Sequence, residues 1–339
     1  MRKAGSVDNK EGSMSKKVGA RLTLLIGASL VAVIGLVSSG SALGGAGQSC
    51  GTVTLNEYGW PGSTANTYVA KYVLEKNLGC TVKITKITEV PSYQAMADGK
   101  VDAVLEDWGY PDQFKQYVTK QKTVAYVGSN GLLGHIGWFI PKYLLTKYPQ
   151  FKTWKGLKGK ESVFKTPESG SQGTFLGGDP SFQQKDKELI EALGLDFKHV
   201  TVGGYSAEVA RVSQLIKQRK PVIFYWWTPE YLNAYLNLVE VQLPPRFKGC
   251  NDVGGAGGDV KQYRCRYASV PLKKLFSKEF AQSGSPAVKV LRKLKWPNNE
   301  AQNLVGKWIT VDKMKPDKAA EKLVKANKAW VNAWCEDEC

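Results

Sequence analysis

From Thr52 onward the chain alternates short apolar runs with longer amphipathic ones, and that order leaves few folds open. Thr52–Leu55 reads as a buried strand, and Thr64–Leu78 as a helix with Ala65, Tyr68, Val69, Tyr72 and Val73 on one face. Thr81–Ile87 reads as a second strand, Ser92–Asp98 as a short helix closed by Gly99, and Val101–Leu105 as a third strand. Strand, helix, strand, helix, strand predicts an α/β fold with a mainly parallel sheet flanked by helices. Ligands of such sheets bind beyond the carboxyl ends of the strands. A second unit repeats the pattern with Ser162–Phe164, the helix Lys185–Leu193, His199–Val202, the helix Ser206–Gln218 and Pro221–Tyr225. From about Leu243 the chain reads as helix-rich and basic.

The N-terminus is of a different kind. Lys16, Lys17 and Arg21 precede an apolar run from Leu22 to Val37, and small residues follow to Gly47. This is the pattern of a secretory signal, so residues 1–46 are expected to be removed and the rest exported, to a periplasm or the outer face of the cytoplasmic membrane. Gly47-Gln48-Ser49 lacks the aliphatic residue usual three places before a lipidated cysteine, which argues against a lipid anchor at Cys50. In an oxidising compartment six cysteines are expected to pair. Cys50 and Cys80 each open a strand that would be adjacent in a parallel sheet, while Cys250/Cys265 and Cys335/Cys339 are close in sequence. The preferred pairing is therefore 50–80, 250–265 and 335–339. With no C-x-x-C and two histidines, no metal site or cofactor is expected. The net charge is +17, of which residues 1–49 account for +4. The basic residues are interleaved with acids along helical stretches such as Lys313–Lys328, so they read as a solvated surface and not as a nucleic-acid interface.

Ten tryptophans are present, and their placement carries the functional reading. Trp60 follows the first strand in Asn56-Glu57-Tyr58-Gly59-Trp60, and Trp108 follows the third in Leu105-Glu106-Asp107-Trp108. Trp138 lies in Gly134-His135-Ile136-Gly137-Trp138, at the crossing to the second unit. Trp226 and Trp227 end the strand that runs into Thr228-Pro229-Glu230. Large rings at the ligand edge suit a cation that cannot donate hydrogen bonds, because π faces attract a charge carried under methyl groups. The acids Glu57, Glu106, Asp107 and Glu230 beside them would add a favourable field.

These segments carry a resemblance. Gly59-Trp60, Asp102-Ala103-Val104-Leu105-Glu106-Asp107-Trp108, Gly137-Trp138-Phe139-Ile140-Pro141-Lys142-Tyr143 and Pro221-Val222-Ile223-Phe224-Tyr225-Trp226-Trp227-Thr228-Pro229 occur in the order seen in glycine betaine/choline-binding receptors of ABC importers. The chain resembles that family from about Thr52 to Trp334. The resemblance implies a two-lobed periplasmic-binding-protein fold of type II that closes over its ligand. It divides the chain into a first part of lobe I (50–133), lobe II (134–242) and the rest of lobe I (243–339). It implies a monomer that delivers a small quaternary ammonium ligand to ABC permease subunits. Trp60, Trp108 and Trp227 would form the cage, with Trp138 as a fourth wall or near neighbour, Tyr58 and His135 close by, and Trp226 as packing.

Two departures bear on the ligand. Members of the family often have a His where Glu230 stands, able to bind a betaine carboxylate; a Glu there repels it unless it points away or is protonated. Choline receptors place an Asp two residues after the first cage Trp, where this chain has Gly62. Backbone N–H groups around Gly59–Thr64 or Ser169–Gly173 are the expected donors to any ligand carboxylate. The remaining readings are the same fold binding another cation or an amino acid, and an exported hydrolase using Ser171. Ser169-Gly170-Ser171-Gln172-Gly173 lacks the first glycine of a nucleophile elbow, so no catalytic residue is assigned.

Overall fold

Val53 and Leu55 alternate inward along Thr52–Asn56 (β1), and the chain then turns directly into the helix Pro61–Asn77 (α1). Pro61 suits the first helical position, where the missing N–H costs nothing. Thr81–Thr85 (β2), Glu89–Ala97 (α2) and Ala103–Asp107 (β3) complete the first unit. The structure, a computed structural model, describes residues 50–254 and 259–335. The expected signal segment, residues 255–258 of the glycine-rich loop and Cys339 lie outside the described residues.

β1 pairs in parallel with β2 and with β3. The long strand Val124–Pro141 (β4) runs on from the first unit to the second. It is followed by Gly173–Gly177 (β5), the helix Asp186–Leu193 (α3), Phe197–Thr201 (β6), the helix Tyr205–Lys217 (α4), Phe224–Thr228 (β7) and Leu238–Val241 (β8). Ser269–Ser277 (β9) brings the chain back. The strand order is β2-β1-β3-β9-β4-β7-β5-β6, with β8 also paired to β4. β9 and β4 run antiparallel to their neighbours and tie two lobes together. The first part of β4 pairs with β9; from His135 onward it pairs with β7 and then β8. The C-terminal helices Asn299–Thr310 (α5) and Pro316–Ala326 (α6) pack on α1, placing them on the first lobe. No helix among the described residues is long and apolar enough to cross a membrane.

Two elements depart from the sequence reading. Ser162–Phe164 is not a strand; it belongs to the 3-10 turn Glu161–Phe164. The strand of that unit is β5, GTFLG, which is buried throughout between β6 and β7. Being buried on both faces it shows no alternation, and its terminal glycines disguise it further. The helix-rich C-terminal part also contains the strand β9, which carries Pro271, Lys273 and Lys274. Lys274 is fully buried. Its Nζ donates to the carbonyls of Leu291, Arg292 and Leu294 at 2.9, 2.6 and 2.7 Å, closing the end of the helix Pro286–Lys293.

The disulfides follow from strand order. Parallel pairing of β1 and β2 brings Cys50 and Cys80 to a Cα separation of 4.9 Å, and they are bonded. Cys250 and Cys265 are bonded as well, at 6.2 Å. Cys335 is disulfide-bonded, with its partner outside the described residues.

Candidate functional site

Every parallel strand of the first lobe and two of the second send residues into one cavity. Trp60 leaves β1, Glu89 follows β2, and Trp108 and Tyr110 follow β3; Phe182 and Gln183 come from the loop after β5, and Tyr225 and Trp227 from β7. Ile136 of the shared strand β4 completes the lining. This is the carboxyl edge of both half-sheets, where open α/β sheets hold their ligands.

The cavity's rings meet edge to face, two of the pairs across the lobes and one within the second. Trp60 lies 5.6 Å from Phe182 at 86°, Trp108 lies 6.5 Å from Trp227 at 77°, and Phe182 lies 5.7 Å from Trp227 at 84°. These contacts wall the cavity largely with aromatic surface. The Tyr110 hydroxyl donates to the Ser181 carbonyl at 3.2 Å, a further bond between the lobes.

Glu106 explains why the first-lobe rings stand where they do. It is buried behind the cavity, and its Oε1 accepts from both indole N–H groups, Trp60 Nε1 at 2.6 Å and Trp108 Nε1 at 3.0 Å. Its Oε2 accepts from Asn66 Nδ2 at 2.5 Å and Gln302 Nε2 at 2.8 Å. Burial raises its pKa, and the four donors oppose that rise. One carboxylate therefore orients two rings, and Glu106 does not itself line the cavity. Gly62 is part of the arrangement: a Cβ there would lie 3.0 Å from the Glu106 carboxylate, so a side chain at this position would push on the group that holds the two indoles. Gly134 plays the matching part for Trp108, whose ring edge would lie 2.5 Å from a Cβ at 134. Tyr58 stacks behind Trp60 at 5.0 Å, held by its hydroxyl to Ser92 Oγ at 2.7 Å.

The remaining expected residues do not reach the cavity. Trp138 is fully buried in the second lobe, packed on Phe175 at 4.8 Å with its Nε1 donating to Asp186 Oδ1 at 2.7 Å. Two residues beyond Ile136 on β4, it has passed the cavity, and Phe182 forms the wall expected of it. His135 is the neighbour of Ile136 on an extended strand and points to the other face, where its Nε2 meets Glu240 at 2.7 Å. Glu57 lines an adjoining groove, accepting from Thr64 Oγ1 at 2.7 Å with Lys86 at 3.4 Å. Glu230 points away: it accepts from the Tyr205 hydroxyl at 2.9 Å and the Leu232 N–H at 2.6 Å, and burial pushes its pKa up to about 8. Asp107 is held by Tyr93 and the Gly109 N–H. Trp226 packs, stacked at 4.5 Å behind Trp227. Ser169–Gly173 lies at the amino end of β5, away from the cavity lining, with the N–H groups of Ser169, Gln172 and Gly173 already bonded to backbone carbonyls. Ser171 is exposed there.

A family model described as the substrate binding domain of an ABC-type glycine betaine transport system matches residues 51–326. The chain belongs to that family. It is thus a substrate-binding protein of an ABC importer and not an enzyme, of a kind that works outside the cytoplasmic membrane. Solved structures share the fold. Lactococcal OpuAC, closed around glycine betaine, is 20% identical with a TM-score of 0.63, over 84% of this chain and 98% of that one. The glycine/betaine/L-proline-binding protein ProX of Borrelia burgdorferi is 20% identical with a TM-score of 0.65, over 85% and 97%. An ABC-transporter choline-binding protein in complex with choline is 20% identical with a TM-score of 0.64, over 85% and 92%. The two-lobed periplasmic-binding-protein fold of type II is therefore the fold of this importer receptor.

Sequence reasoning missed Glu89, Tyr110, Phe182, Gln183 and Tyr225. Phe182 and Gln183 follow the strand that was not recognised. Glu89 opens α2 three residues earlier than expected, because Pro91 is tolerated within a first helical turn. Tyr110 carried a usable signal: it is two residues past Trp108, beyond the same strand end.

Proposed function

We propose that this receptor captures a small quaternary ammonium ion between Trp60, Trp108, Trp227 and Phe182 and releases it to its ABC permease. The observation that carries this reading is the convergence of three indoles and a phenyl ring, from both lobes, on one cavity at the carboxyl edges of the strands. Each desolvated ring contributes on the order of 1–2 kcal/mol to holding such a cation. Four rings support roughly micromolar affinity once association costs are counted. Because the walls come from different lobes, ligand binding and lobe closure are one event, and β4 and β9 are the strands that flex. The N-terminal segment 1–46 directs export, and the receptor acts as a monomer.

Calorimetric titration of choline and glycine betaine into the Trp108→Ala and Trp227→Ala variants tests this. Affinity is expected to fall about 5- to 30-fold in each, with the folded circular dichroism spectrum retained. Unchanged affinity in either variant removes its ring from the cage.

A further inference from the structure

Among the residues lining the cavity, one side chain is ionisable in the physiological range, and it is an acid. Glu89 is 3% exposed and occupies the first position of α2. No Lys or Arg among the described residues forms an ion pair with it. Ser181, from the second lobe, faces its carboxyl, but the Ser181 hydroxyl is directed to Asp179 Oδ1 at 2.6 Å. Glu106 contrasts with it, having four donors and no place in the cavity lining. Its own backbone N–H and the Ser181 hydroxyl favour the ionised form, but burial outweighs them and no cation is paired with it, so a cation arriving beside it would make ionisation much easier.

We propose that Glu89 is the counter-ion of the bound cation, so that the receptor selects ligands of net positive charge, such as choline, over zwitterionic betaines. This rests on the cage reading and specifies its ligand. A cation held by the rings shares a dry cavity with Glu89, where attraction is poorly screened. The hydroxyl of an alcohol-bearing ligand finds an acceptor in the same carboxylate. A ligand carboxylate instead meets a like charge, and the indole N–H groups of Trp60 and Trp108 and the hydroxyls of Tyr110 and Tyr225 are already donating elsewhere. The cations Lys115 and Lys273 line the groove beyond Trp108 and Tyr110 and not the cavity itself.

Geometry sets the pH dependence as well. Burial holds the Glu89 carboxyl up at about 7. The charged groups facing it are Asp107 at the end of β3, Asp179 after β5, and the Glu57–Lys86 pair across the adjoining groove; the phenols Tyr58, Tyr110 and Tyr225 surround it. No histidine lines the cavity or that groove. A cation favours the ionised form, so binding below neutrality expels the Glu89 proton, and affinity rises with pH across that range.

The test is calorimetric titration of choline, tetramethylammonium and glycine betaine into the parent, Glu89→Gln and Glu89→Asp, between about pH 6 and pH 8. The parent is expected to prefer both cations to betaine, to bind choline more tightly at the higher pH, and to release protons on binding at the lower. Glu89→Gln is expected to bind choline and tetramethylammonium about 30-fold more weakly, to bind betaine more tightly, and to lose the pH dependence. Glu89→Asp is expected to keep the order of preference. Should Glu89→Gln fold poorly, the parent's pH profile decides alone, and a flat one overturns the proposal. So does a parent that prefers betaine, or a folded Glu89→Gln that holds choline as the parent does. A parent that binds none of the three ligands sinks the cage reading itself.

Discussion

The two lobes build their halves of the cavity wall by different means. In the first, hydrogen bonds do the positioning: Trp60 and Trp108 both donate to one buried carboxylate, which Asn66 and Gln302 complete. In the second, rings lean on rings. Trp227 stacks on Trp226 at 4.5 Å and touches Tyr205 at 5.9 Å, Tyr225 at 6.0 Å and Phe182 at 5.7 Å. An acid is present there too, but Glu230 acts one ring further back, through the Tyr205 hydroxyl. Directional bonds fix two rings at defined angles, whereas stacked rings can slide. In the proposed cage, the first lobe would then be a preformed half-site and the second an adaptable face that closes on the ligand.

That contrast can be broken most forcefully at Glu106. Glu106→Ala leaves two indole N–H groups without an acceptor in the interior and reduces the Asn66 and Gln302 amides to the Gly62 carbonyl, at a cost of about 3–5 kcal/mol. Thermal denaturation should show a melting temperature lower by roughly 10 °C, and titration a weaker ligand affinity. A variant that melts with the parent and binds as tightly means that Trp60 and Trp108 are held by packing, as the second-lobe rings are.

A smaller effect is expected at Glu230. Its folded pKa of about 8 lies above the ordinary value of 4.5, so the folded state holds a proton that the unfolded state has lost between those pH values. Its contribution is fully present below about 4.5 and is lost as the pH rises through about 8. Glu230→Gln keeps the shape and cannot ionise. The melting temperature of the ligand-free parent should therefore fall relative to this variant from about pH 5 to pH 8. Parallel curves contradict the assignment of a protonated acid behind Tyr205.

The same contrast decides what could be read before the structure. In the first lobe the strands alternate or follow clear helix signals, so β1, α1, β2 and β3 were legible, and with them the 50–80 disulfide and the placement of Trp60 and Trp108. Trp227 was legible for the same reason, at the end of a strand bounded by Pro229. What stayed hidden was β5, because a strand buried on both faces and ended by glycines shows no period, and Phe182 was hidden with it. β9 was hidden because Lys274 is buried and spends its charge on three carbonyls, a role that composition does not reveal. Trp138 misled because residues near a strand end differ in reach: Ile136 lines the cavity, and two residues further the ring is inside the lobe. The acids misled because charge alone does not say which way a side chain faces. Glu106 and Glu230 hold rings from behind, and the acid that lines the cavity, Glu89, sat in what read as a loop.

In the proposed cage the four rings hold charge under methyl groups, and not shape alone. Replacing the nitrogen of choline by carbon gives 3,3-dimethylbutan-1-ol, of nearly the same size and without charge. Competitive calorimetric titration of choline and this alcohol into the mature protein measures the difference directly. The neutral alcohol is expected to bind at least about 1,000-fold more weakly, the sum of about 1 kcal/mol or more from each of four rings; equal affinity for the two would contradict the cage.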